Sequence, residues 1–291
     1  MDKHLIGQNL DGYVVGRNIG IGGMGRVYQG YEVESQQPVA IKVLLPEYAE
    51  DESFRTRFLR EAELMIKLRH PNITPVHSYG EWKGYLYIVM RLVKGPSLER
   101  ILQAHRFSPL TAWQIVRPLT EALGFGHDQQ VLHRDLKCAN ILIEPRGEGN
   151  HVFLTDFGLG KRPGVDTTLT AAGISVGTPE YMAPEVAMGT QADLRSDLYS
   201  LGVVLYEVLL GRLPFRANSP QMMALAHVDQ PVPRPRTLHS RFPRRLEAVM
   251  LQALDKNPDA RFQSAADFRN QYYAAVKAMD DSARRSCFWI D

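Results

Sequence analysis

The chain has almost no cysteine: Cys138 and Cys287 are the only two in 291 residues. That excludes a disulfide framework and fits a reducing compartment. Long apolar runs are missing as well. The longest, LGVVLYEVLLG at 201–211, is broken by Glu207 and falls short of the ~20 residues that a membrane span needs, so it reads as a buried helix. The opening MDKHLIGQNL lacks the apolar core of a secretory signal. Charge of one sign is absent too. With 34 basic and 32 acidic residues the net charge is +2, which offers no bulk field for nucleic acid or a membrane. There are no internal repeats and no low-complexity tracts. What remains is the composition of a soluble globular protein, 44% hydrophobic and 23% charged, long enough for one large or two smaller domains. The expectation is a cytoplasmic chain, with a membrane anchor in a longer protein left open.

What is present changes character along the chain. Up to about residue 93, runs rich in β-branched and aromatic residues predict strands: YVVGRNIG (13–20), GRVYQGYEV (25–33), QPVAIKVLL (37–45) and YLYIVMRLV (85–93). Between the third and fourth, 53–70 carries Phe54, Phe58, Leu64 and Leu68, with Ala62, Met65 and Ile66, at helical spacing before Pro71. VKGPS (93–97) reads as a connector. Beyond it the pattern predicts helices over 98–105, 109–128, 194–211, 219–227, 242–254 and 264–279, with KNPDARF (256–262) as a loop. A small β-rich part thus precedes a larger helical one, and a crevice between such lobes is the default ligand site.

Four short motifs lie on this frame. GIGGMG (20–25) has glycines that bring backbone N–H groups close to a phosphate without Cβ clashes. Alone it is weak. A dinucleotide-binding fold needs a helix directly after such glycines, whereas RVYQGYEV reads as strand, so a hairpin lid over phosphates fits better. VAIK (39–42) sets Lys42 in an apolar strand. There it either snorkels to water or aims a point charge at nucleotide phosphates, with Glu61 as the candidate partner. HRDLKCAN (133–140) would in isolation suit a solvated turn. In company it offers more: Asp135 can accept a hydroxyl proton, Lys137 can neutralise a phosphoryl group, and Asn140 can give oxygen to Mg²⁺. DFG (156–158) adds Asp156 as a second oxygen ligand. The four in this order, each in a fitting strand or loop context, make coincidence a poor explanation.

In this combination the chain resembles the eukaryotic-like (Hanks-type) serine/threonine protein kinases, from about Tyr13 to about Tyr273. GGMGRVY and KNPDARF are most similar to the bacterial members. The resemblance implies an α+β fold of two lobes: a β-rich N-lobe with one main helix over 13–90, a hinge at 91–95, a larger mostly helical C-lobe over 96–275 and a tail at 276–291. It implies ATP with Mg²⁺ or Mn²⁺, and protein substrates, the chain itself in trans included, with no nucleic acid. By position, Gly20, Gly22, Gly23 and Gly25 would cover the phosphates, and Ile19, Val27, Ala40 and Leu142 would sandwich the adenine. Met90 falls at the gatekeeper, while Arg91 and Val93 would bond the adenine edge through their main chain. Relatives often carry an acid where this chain has Arg91.

Further stretches match. GTPEYMAPE (177–185) resembles the peptide-docking loop, with Thr178 at the position that meets the catalytic loop. Asp197 would hold the catalytic-loop backbone, and Arg261 would pair with Glu185. The lysine of HRDLK and the threonine of GTPEY resemble serine/threonine rather than tyrosine kinases. Arg134 implies an activation segment ordered by phosphate, with Thr168 and Thr170 as the first candidates and Thr167 and Ser175 behind them. A scaffold with the same fold but no activity, or a kinase of small molecules, are the rival readings. The run PVPRPRTLHSRFPRR (231–245) reads as a solvated turn, and Phe288 and Trp289 as exposed. The tail is either a domain boundary or a segment that docks back.

Overall fold

A computed structural model of the chain describes residues 2–22, 24–147, 149–158 and 178–289. The chain forms two compact units, Met1–Gly95 and Pro96–Asp291. The first is an antiparallel sheet of β1 (Asn9–Leu10), β2 (Tyr13–Gly22), β3 (Gly25–Glu32), β4 (Pro38–Leu44), β5 (Val76–Trp82) and β6 (Tyr85–Arg91), ordered β1-β2-β3-β4-β6-β5. Its helices are α1 (Asp2–Leu5), α2 (Pro46–Glu50) and α3 (Glu52–Lys67).

Strand alternation divides this sheet into two faces. Tyr28, Val39, Ile41, Val43, Tyr87 and Val89 are buried with Leu5, Leu10 and Val15 in one cluster. Each such side chain contributes about 1.5–3 kcal/mol by leaving water. Across the ladder Val27 faces Lys42, Lys42 faces Ile88, and Ala40 faces Met90. Residues directly opposite share a face, so Val27, Ala40, Lys42, Ile88 and Met90 all lie on the second face.

Helix α3 starts where the Asp51 carboxylate accepts from the amides of Ser53 and Phe54, at 3.0 and 3.1 Å. Phe54, Phe58, Ala62 and Met65 form its buried stripe. Leu64, expected among them, is 43% exposed, because two residues of helix turn it about 200° from Ala62. The helix ends at Lys67 rather than His70; Leu68 is already extended, ahead of a proline that disfavours helix in what precedes it.

The second unit holds α4 (Leu98–Leu102), α5 (Pro109–Asp128), the hairpin β7 (Ile141–Arg146) and β8 (Gly149–Leu154), α6 (Pro184–Ala187), α7 (Leu194–Leu210), α8 (Pro220–Asp229), α9 (Pro235–Leu238), α10 (Arg244–Ala253), α11 (Ala265–Lys277) and α12 (Asp281–Arg285). Helix α7 is buried nearly all round, with α5 and α10 packed on it and α11 on both of those. Two expectations are corrected. The run 231–245 is no free turn: α9 lies within it, Pro235 and Phe242 are buried, and the buried Glu247 binds Arg234 Nη2 at 3.1 Å and the Arg236 amide at 2.7 Å. Phe288 is buried as well, edge-on to His239 and Phe242, and the Trp289 indole donates to the Val208 carbonyl at 2.9 Å. The tail docks back.

Candidate active site

The segment 133–140 runs directly into β7, and register fixes what it meets. Ile141 pairs with Leu154, so the hairpin returns the chain beside its start and the Thr155 amide donates to the Asn140 carbonyl at 3.0 Å. Asp156 follows in a left-handed conformation, φ 60°, as does Arg134 at φ 65°. Such conformations cost on the order of 1–3 kcal/mol for residues with a Cβ and persist only when their surroundings dictate them.

Asp197 of α7 supplies that constraint. Its carboxylate accepts from the amides of His133 and Arg134, at 2.8 and 2.9 Å, and meets His127 Nε2 at 2.9 Å. Burial alone would raise this carboxyl, which is 2% exposed. The bonds and charge of His127 and the His133 amide outweigh that and hold it below the usual range. His133 is itself fully buried. The Asp135 amide donates to its Nδ1 at 3.2 Å, so Nε2 carries the proton and donates to the Thr155 carbonyl at 2.9 Å. Burial lowers its pKa and keeps the ring neutral. Its ring packs edge-on against Phe157.

Asp135, Lys137 and Asn140 lie together on this frame. Lys137 Nζ is 2.8 Å from Asp135 Oδ2 and donates to Thr178 Oγ1 at 2.5 Å. Asn140, 6% exposed, spends its amide N–H groups on the Asp135 carbonyl at 2.8 Å and Oδ2 at 3.1 Å. A cavity of about 400 Å³, lined in part by Arg134, Asp135, Thr178, Tyr181, Met182 and Asp193, adjoins them. Two carboxylates, the half-buried Glu207 and the buried Glu185, tie Thr178–Glu185 to its surroundings. Glu207 of α7 accepts from Tyr181 Oη at 2.5 Å and Cys138 Sγ at 3.1 Å, and burial pushes the thiol well up. Glu185 receives both arms of the Arg261 guanidinium, at 2.8 and 2.7 Å, and the Ser196 hydroxyl.

In the first unit Val27, Ala40, Lys42 and Met90 share a sheet face, and Gly20 lies opposite Val27. Ile19 is 45% exposed. Space distinguishes the glycines. A Cβ on Gly20 or Gly22 would meet nothing closer than 3.8 and 3.7 Å, whereas one on Gly25 would lie 2.2 Å from the Val43 carbonyl oxygen. Gly25 is therefore required by β3–β4 pairing itself. The Arg91 amide donates to the Pro75 carbonyl at 2.9 Å, which leaves only its carbonyl for an adenine edge. Val93 is buried, and its amide donates to no acceptor among the described residues. Glu61 is half-buried on α3 beside Ala62. Leu142 pairs with Phe153 in the second unit and bridges to Ser97. Gly23, Thr167, Thr168, Thr170 and Ser175 lie outside the described residues.

Sequence reasoning passed over His127, Glu207 as a partner of Tyr181 and Cys138, and His227, discussed below. None carries a spacing signal, since each partner comes from a distant element.

Comparison with known proteins follows this geometry. Residues 13–273 match the protein kinase domain family. The serine/threonine-protein kinase PknD of Mycobacterium tuberculosis is 39% identical over 266 residues, 90% of this chain and 39% of that protein. PknB of Mycobacterium leprae is 40% identical over 291 residues, 95% of this chain and 46% of that protein. The crystal structure of the Mycobacterium tuberculosis PknI kinase domain superposes with a TM-score of 0.76 at 28% identity, covering 94% of this chain and 98% of that one. The chain spans less than half the length of the curated relatives it matches.

Proposed function

Because the chain belongs to the protein kinase family, we propose that it transfers the γ-phosphoryl group of ATP to serine and threonine hydroxyls of proteins, as the names of its relatives say of them. The observation that carries this reading is Lys137 bound at once to Asp135 and Thr178. It supports the reading because a carboxylate, a cation and the Thr178 hydroxyl meet in one spot. Phosphoryl transfer asks a protein mainly for such positioning and charge stabilisation.

The donor set suits Mg²⁺, or Mn²⁺, with ATP. Asn140 Oδ1 accepts no hydrogen bond among the described residues, and with the Asp156 carboxylate it makes an all-oxygen pair of the kind a hard cation takes. Bound metal would neutralise charge on the phosphate oxygens. Lys42 supplies a point charge for the phosphates and Glu61 orients it. Gly20, Gly22, Gly23 and Gly25 let main-chain N–H groups approach them. Ile19, Val27, Ala40 and Leu142 exclude water from the base, Met90 closes the end of the slot, and the Arg91 carbonyl and Val93 amide bond its edge. Asp135 orients the attacking hydroxyl and takes its proton, and Lys137 stabilises the transferred group. Phosphate on Thr168 or Thr170, or on Thr167 or Ser175, would pair with Arg134. No helix among the described residues is long and apolar enough to cross a membrane.

The test is mass-resolved incubation with Mg-ATP, wild type beside Asp156→Asn. Phosphate added to the wild type alone, mapping to 164–175, supports the proposal. No transfer by the wild type, to itself or to casein, removes it.

A further inference from the structure

The turn Pro179–Tyr181 is held by a residue for which phosphoryl transfer has no direct use. His227 of α8 is fully buried. Its Nε2 is 2.9 Å from the Glu180 carbonyl oxygen and its Nδ1 is 2.8 Å from the Tyr199 hydroxyl. A carbonyl only accepts, so Nε2 must carry the proton. Nδ1 is then an acceptor, and the Tyr199 hydroxyl donates to it. The donors run one way, from α7 through the imidazole to the main chain at Glu180, and they fix a single tautomer. Burial, then the Lys256 ammonium, push the His227 pKa down to about 4, so the ring is neutral near pH 7.

The ring is also clamped. Phe215 packs edge-on at 4.8 Å between centroids. Lys256 Nζ lies 4.6 Å over the Phe215 ring and donates to the His227 carbonyl at 2.6 Å. Glu180 thus rests on a packed, fully bonded support, and a close-packed interior transmits displacement.

Among the described residues Thr178–Tyr181 is anchored by four side chains: Lys137 on Thr178, Glu207 on the Tyr181 hydroxyl, Ser200 on the Tyr181 carbonyl and His227 on the Glu180 carbonyl. Of these four, His227 alone comes from α8 and alone bonds the main chain at Glu180. Thr178 and Tyr181 line the cavity beside Asp135, so any shift at Glu180 reshapes its wall. We infer that His227 is a positioning residue for the protein substrate, setting the affinity for the peptide around the acceptor hydroxyl while touching neither nucleotide nor reacting atoms. This deepens the kinase reading and rests on it.

The experiment measures steady-state kinetics of the full chain with dephosphorylated casein and ATP for wild type, His227→Phe, His227→Gln and Tyr199→Phe. Phenylalanine fills the space but leaves the Glu180 carbonyl without its donor. The KM for casein should rise about tenfold, the factor that about 1.4 kcal/mol represents and the cost typical of one orphaned buried group. The KM for ATP and kcat should stay within about twofold, the signature of lost ground-state binding. Glutamine, whose amide can donate to the same carbonyl, should recover most of the loss. Tyr199→Phe keeps the imidazole but removes the donor that fixes its tautomer, and should raise the casein KM by a smaller factor. It decides the matter if His227→Phe does not fold. An unchanged casein KM in the folded variants overturns the inference, as does a parallel loss in kcat and both KM values. A wild type inactive on casein and on itself overturns the kinase reading, a separate and recognisable failure.

Discussion

At the scale of single residues, Lys137 is the informative side chain, because its charge is divided. It neutralises Asp135 and holds Thr178, at 2.8 and 2.5 Å, so the carboxylate is fixed in place by the fold itself. Asp135→Asn keeps the size of the side chain but removes the carboxylate proposed as the proton acceptor. Turnover on casein should fall by about 10²–10⁴, while ATP still raises the melting temperature through mass-action binding. Wild-type turnover in that variant would remove Asp135 from the chemistry. The types needed here were legible because one short segment, HRDLKCAN, supplies them. Among their supports, Asp197 was anticipated through the resemblance; the histidine supports were not. The sequence has nine histidines; His133 opens that motif, but nothing in spacing separates His127 and His227 from the rest or shows what the three support. What separates them is burial beside Asp197, Thr155 and Glu180, contributed by segments far along the chain.

At the scale of elements, the glycine turn between β2 and β3 mixes two demands that one motif hides. A Cβ on Gly22 would rest at an ordinary 3.7 Å from the Gly25 carbonyl oxygen, whereas one on Gly25 would lie 2.2 Å from the Val43 carbonyl oxygen. Gly22→Ala should therefore leave thermal stability nearly unchanged. Gly25→Ala forces β3 away from β4 and should cost about 1–3 kcal/mol, the range for overpacking a tight site. Equal melting temperatures for the two variants would contradict the distinction. Long, capped, periodic segments such as α3, α5 and α7 were legible from sequence. The hairpin β7–β8 was not read as two strands, since Glu144, Pro145, Asn150 and His151 interrupt the apolar alternation, and β5, VHSYGEW, is largely polar. Those strands are specified by their partners in the ladder rather than by their own composition.

At the scale of the molecule, buried ionisable groups set the response to acid. His133 and His227 have folded pKa values below that of an exposed imidazole. As pH falls below about 6.5 the unfolded chain binds these protons first, and stability drops. Glu185 and Asp197 are held below the usual carboxylate range; burial opposes this, and Arg261 and His127 respectively prevail. Their contribution is complete at neutral pH and is lost as pH falls below about 4. Urea midpoints should therefore decline in two stages, with Glu185→Gln flattening the lower one; a flat profile between pH 7 and 5 would contradict the histidine assignment. The tail carries the other whole-molecule prediction. The last carbonyls of a helix lack intrahelical partners, and Trp289 supplies one to Val208 of α7, next to the Glu207 that holds Tyr181 and Cys138. Gly211 ends α7 with φ 71°, and a Cβ there would lie 2.6 Å from the Trp289 ring. Phe288 fills the adjacent space between His239 and Phe242. A chain ending at Lys277 keeps all of 13–273, the span matched by the family, yet loses this closure. Phe288→Ala should cost about 3–5 kcal/mol, as for other buried aromatic truncations, and the shortened chain at least as much. If it melts with the full chain, the docked tail contributes nothing; if it melts well below it, α7, and with it the support of Tyr181, depends on residues outside the family boundary.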